Sequence, residues 1–121
     1  MPHPLVDQLR FTRREFRRGV EGVSEEDATR RLMPMNCISW NVGHLAAQEQ
    51  RYFLGYAQEL QPYPDIDQAF SYGSPASTPS LSEMLEVWDA ITGAVDPFLE
   101  GITDDILSPG QPGKKSMQTR P

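Results

Sequence analysis

Cysteine occurs once in the 121 residues, at Cys37, and histidine twice, at His3 and His44. A lone cysteine excludes an intrachain disulfide and leaves no sign of an oxidising compartment. No apolar run approaches the ~18 residues that a membrane span needs, and no basic-then-apolar leader opens the chain. Positive charge is in short supply: 11 Lys and Arg against 17 Asp and Glu give a net charge of −6. That balance argues against nucleic acid as a bulk partner. Strand-like alternation, internal repeats and low-complexity tracts are also missing. The expectation from these absences is one cytoplasmic domain, an enzyme or a binding module, with no nucleic-acid and no membrane partner. A hydrophobic content of 38% suits a globular domain of modest core.

What is present is helical. Pro4 suits a first helical turn, and Leu5, Leu9, Thr12, Phe16 and Val20 follow at steps of three or four. Arg10, Arg13, Arg14, Arg17 and Arg18 fill much of the remaining surface. This basic run reads either as the solvated face of the helix or as a patch for phosphate or an acidic partner. Ser24-Glu25-Glu26-Asp27 caps a short helix predicted to reach about Leu32, with Pro34 as its stop. Asn36 is the predicted N-cap of a second main helix, whose apolar face is Ile38, Val42, Leu45, Ala46, Tyr52, Phe53 and Tyr56.

Residues 61–80 hold four prolines and read as one long loop. Ser80-Leu81-Ser82-Glu83 is a capping box for a third main helix, with Met84, Leu85, Trp88, Ile91, Val95 and Leu99 as its stripe and Pro97 disturbing its last turn. Asp104-Asp105 caps a short turn. The domain is therefore predicted over 1–107, with 108–121 as a low-structure C-terminal tail.

His44 is the residue with the most chemical potential. It stands four residues after Trp40 and five before Glu49, on the predicted second helix. A helix-borne imidazole can serve as a metal ligand or as a general base; it can equally be a hydrogen-bonded histidine at the edge of a core. Glu49 falls inside the apolar face and, if buried, needs a partner or a proton. Cys37, beside a helix start, reads as buried filler rather than as a nucleophile. Trp40 and Trp88 read as core anchors.

The order of these elements, and above all Ser39-Trp40-Asn41-Val42-Gly43-His44-Leu45-Ala46, resembles the DinB/YfiT-like superfamily of metalloenzymes. The resemblance implies an all-α, up-down helical bundle. Of its four helices three main ones are present here, and the fourth is expected to be missing. It also implies a divalent metal, zinc or nickel, held by three histidines. His44 matches the one on the second helix. The other two belong to an H-x-x-x-H pair on the last helix, a spacing that points both imidazoles to one side. No histidine follows His44, and His3 stands too near the N-terminus to substitute.

Two functions follow from the resemblance. In one, the chain is a metal-dependent thiol transferase or hydrolase of family type with an incomplete metal site. His44 is then the metal ligand, Gln48 or Glu49 orients it, and a small thiol or other small molecule is the substrate. In the other, it is a non-catalytic helical module that closes its open face by forming a homodimer. A truncated fragment of a longer chain is the third possibility.

Overall fold

Pro4 has no N–H to lose, so the first turn of a helix accommodates it, and a helix does begin there. The computed structural model describes residues 2–70 and 73–107 and is all-α, with no strand among the described residues. Its elements are α1 (Pro4–Val20), α2 (Glu25–Thr29), α3 (Ile38–Glu49), a π-helical continuation (Gln50–Tyr56), α4 (Pro64–Phe70), α5 (Leu81–Glu100) and α6 (Asp104–Leu107). The predicted tail, 108–121, lies outside the described residues. No helix among those described is long and apolar enough to cross a membrane.

The described residues fall into two units, one formed by those up to Gly22 and from Asp96 onward, the other by Val23–Val95. In the first unit, His3 caps α1: its Nδ1 accepts from the Leu5 N–H at 3.1 Å, and its Nε2 meets Asp104 at 2.6 Å. The buried positions of α1 are Val6, Arg13 and Val20, while Leu5 and Thr12 are exposed. The predicted stripe is thus displaced by one residue at two of its steps. Arg13 turns inward because its guanidinium reaches Asp96 at 3.4 Å. Arg10 donates to Glu100 at 2.6 Å and to Asp96 at 3.5 Å. The hydrogen bond to Glu100 holds the Arg10 guanidinium above its ordinary pKa. Part of the basic run is therefore committed to carboxylates of this chain, which corrects its reading as a uniformly solvated face.

In the second unit, Ser24 caps α2 by accepting from the Asp27 N–H, and α2 ends at Thr29 rather than near Leu32. The Glu25 carboxylate spans to α5, accepting from the Leu81 N–H at 2.7 Å and the Ser82 N–H at 2.9 Å. These are donors that a helix start leaves without partners, and a negative charge there is favoured by the helix dipole. The same two backbone bonds hold the Glu25 carboxyl below its ordinary pKa. A depressed folded-state value means that the stabilisation is present above the ordinary carboxylate range and is lost as pH falls through it. Glu25→Gln is accordingly expected to lower the melting temperature by a few degrees at pH 7. Melts at pH 3 should show the difference collapsing, and an equal difference at both pH values would refute the role.

Of the predicted α5 stripe, Met84, Trp88, Ile91, Val95 and Leu99 are buried, joined by Leu81, while Leu85 is half-buried. On α3 the buried side is rotated from the prediction. Ile38 and Leu45 are exposed, whereas Ser39, Trp40, Val42, Gly43, Ala46 and Ala47 are inside. Beside Trp40 and Val42 the inner side is made of small residues, and at Gly43 the Met84 and Phe70 side chains approach the backbone closely. The N-cap is Cys37, not Asn36, and it makes no side-chain capping bond. Cys37 is buried, with its Sγ 3.3 Å from the Ser39 hydroxyl. The predicted long loop also needs correction, since it contains α4. Pro64 opens that helix, Asp65 and Asp67 sit in its first turn, and Phe70 is its buried end.

Candidate functional site around His44

α3 carries His44 on its second turn, and α4 supplies what fixes it. The Nδ1 atom lies 2.6 Å from the carbonyl oxygen of Phe70. A carbonyl can only accept, so Nδ1 carries the proton and donates. In the neutral imidazole that leaves Nε2 with its lone pair, the form required of a metal ligand or a proton acceptor. One turn earlier, Trp40 stacks on the imidazole, ring centroids 5.0 Å apart and 12° between planes. Phe70 in turn meets Trp40 edge-on at 5.9 Å. The imidazole is thereby held by one hydrogen bond and one ring face.

The close approach depends on Gly43. A Cβ there would lie 2.8 Å from the Met84 sulfur and 3.0 Å from the Phe70 ring. Glycine is what lets α4 bring the Phe70 carbonyl within reach of the next residue along. Trp40 is 6% exposed, and its Nε1 is buried without a hydrogen-bond partner. An unsatisfied buried donor of this kind is uncommon and marks the ring pair as a place where polar demand is unmet.

Of the other predicted site residues, Gln48 follows His44 by one turn, so the spacing puts it on the same side of α3. It is half-buried. Glu49 ends α3 and is buried. The group that holds Nδ1 is the Phe70 carbonyl, which sequence reasoning missed because it placed Phe70 in a loop. A signal was available: Pro64, then Asp65 and Asp67, with Ile66 and Phe70 at i, i+4 spacing, is a short helix opening on proline. His3 belongs to the other unit and is bonded there at both ring nitrogens.

Does the site fit the three-histidine metal centre that the resemblance implies? Among the described residues no group of three His, Cys, Asp or Glu could hold an ion. The described donor set supplies His44 alone and does not amount to a metal centre.

Helix architecture and a tryptophan-backed histidine with one free nitrogen define an all-α protein with a single prepared imidazole. The DinB superfamily model matches residues 8–120, and the chain belongs to that superfamily. No curated protein and no solved structure matches it.

Proposed function

We propose that this chain acts on a small molecule through His44, by thiol transfer or hydrolysis, with Nε2 as the working atom. The observation that supports this is the Nδ1–H bond to the Phe70 carbonyl at 2.6 Å. It selects the tautomer with a lone pair on Nε2 and prevents the ring from turning. Such an atom takes a proton from a thiol or from water as the sulfur or oxygen attacks an electrophile. Stacking on Trp40 keeps the imidazole in register while its charge changes. Superfamily membership adds the expectation of small substrates, and the zinc or nickel ion implied by the resemblance would need donors beyond His44.

The test joins an activity assay with metal analysis. Transfer of small thiols to an activated aryl halide, and hydrolysis of activated esters, should fall roughly 10²–10⁴-fold in His44→Ala if the imidazole handles the proton. Unchanged rates would overturn the proposal. Stoichiometric zinc or nickel that disappears in His44→Ala would make Nε2 a metal ligand instead of a base.

A second reading, the helical module that pairs with its own copy, is favoured by one observation. Leu32, Met33 and Met35 are 67%, 75% and 66% exposed on the connection before α3. Arg31 braces that turn through the carbonyls of Pro34 and Met35, so the apolar side chains are presented on an ordered support. A concentration-independent monomer mass would remove this reading.

A further inference from the structure

The backbone donors that open α1 all end on one residue. Pro4 has no N–H to satisfy. The Leu5 N–H donates to His3 Nδ1 at 3.1 Å, and the Val6 and Asp7 N–H groups donate to the His3 carbonyl at 2.9 and 3.1 Å. Through Nε2 the same ring reaches Asp104, the first residue of α6, at 2.6 Å. The imidazole is largely covered, whereas the Asp104 side chain is 93% exposed. One side chain thus caps one helix and ties down the start of another, within a single unit.

These two bonds fix the tautomer. A backbone N–H donates, so Nδ1 holds a lone pair; a carboxylate accepts, so Nε2 carries the proton. Ser, Thr, Asn and Asp cap most helices, and their oxygens go on accepting throughout pH 5 to 8. An imidazole in the same place does not. Its second proton lands on Nδ1 and faces the Leu5 N–H, donor against donor, while the Nε2–H bond to Asp104 persists as a full charge pair. The charged groups on the elements that meet at His3 are Asp7 in the first turn of α1 and Asp104 and Asp105 at the start of α6, all acidic. Arg10 stands a turn further along α1 and is engaged by Glu100. The positive end of the α1 dipole opposes the acids.

We infer that His3 is a proton-operated cap: uptake of a proton opens the Leu5 bond, loosens the first turn of α1 and leaves the tie to α6 in place. The carbonyl bonds to Val6 and Asp7 do not involve the ring, so the loosening stays local. His44 is a built-in contrast. Its Nδ1 already donates, so a proton there goes to Nε2 and leaves the Phe70 bond intact.

Amide hydrogen exchange on the full chain between pH 8 and 5, corrected for intrinsic exchange and read beside the His3 ring resonances, tests the inference. Leu5 protection should fall roughly fivefold or more as the ring takes up its proton, the weight of one N-cap bond. His3→Asn keeps an accepting oxygen without a titrating group and should hold Leu5 protection level over the same range. Asp104→Ala frees Nε2 and should lower Leu5 protection already at pH 8, with circular dichroism confirming that both variants are folded. The inference is overturned if Leu5 protection stays level while the ring titrates, or if the ring remains neutral down to pH 5. It is equally overturned if His3→Asn loses protection as the parent does, or if Asp104→Ala matches the parent at pH 8.

Discussion

Valine in place of Gly43 is expected to lower the free energy of unfolding by roughly 3 kcal/mol, the upper end for overpacking a filled interior. The first added carbon already meets the Met84 sulfur at 2.8 Å and the Phe70 ring at 3.0 and 3.1 Å. Met84 can swing aside, because its side chain is flexible. Phe70 cannot do so cheaply, being 4% exposed and wedged against Trp40. Two further methyl groups, stiff at χ1 in a helix, make the displacement larger. Alanine at the same position should cost less, since improved helix propensity of about 1 kcal/mol offsets part of the clash. Gly93 supplies the contrast: a Cβ there meets nothing within 4 Å. Gly93→Ala should therefore stabilise by about 0.4–1 kcal/mol. Urea titrations of the three variants check the order, and a Gly43→Val midpoint equal to that of the parent would contradict the close approach. Because Phe70 also supplies the carbonyl to His44, the valine variant should lose the fixed Nδ1–H tautomer, visible in the nitrogen spectrum of the imidazole.

Truncating Ile91 to alanine is expected to cost roughly 2–5 kcal/mol. The side chain has no exposed surface and lies midway along the α5 stripe, between Trp88 and Val95, which are 6% and 0% exposed. Its removal both returns apolar area to water and leaves a cavity that rigid neighbours fill poorly. A domain of this size holds only about 5–15 kcal/mol in total, so the change takes a large share. Ile91→Val removes a single methylene and should cost about 0.5–1.5 kcal/mol, which makes the pair a graded measure of packing. A loss below about 1 kcal/mol for the alanine variant would mean that α5 is not packed as described.

The difference between α5 and α3 shows what a sequence discloses. Along α5 the buried residues are large, and a period of 3.6 finds them. Along α3 the inner side mixes Trp40 and Val42 with the small Ser39, Gly43, Ala46 and Ala47, which carry little hydrophobic signal. A hydrophobic count looks instead to Ile38 and Leu45, which the structure leaves exposed. Beyond Glu49 the π-helical turn changes the period itself, so a face projected at 100° per residue drifts. Proline-based reasoning likewise hid α4, because Pro64 reads as a break when it is the first residue of a helix. His44 was legible from the sequence; the Phe70 carbonyl was not, since backbone acceptors carry no residue-type signature. The Glu25 bridge to Leu81 and Ser82 was equally hidden, joining positions 56 and 57 residues apart.

His3 uses both of its ring nitrogens within the fold, Nδ1 toward Leu5 and Nε2 toward Asp104. The sequence contains only one other histidine, His44. Toward acylating reagents or transition-metal probes, Nε2 of His44 is thus the imidazole nitrogen that needs no hydrogen bond broken before it reacts. The competing ring, His3, must first give up its bond to Leu5 or to Asp104.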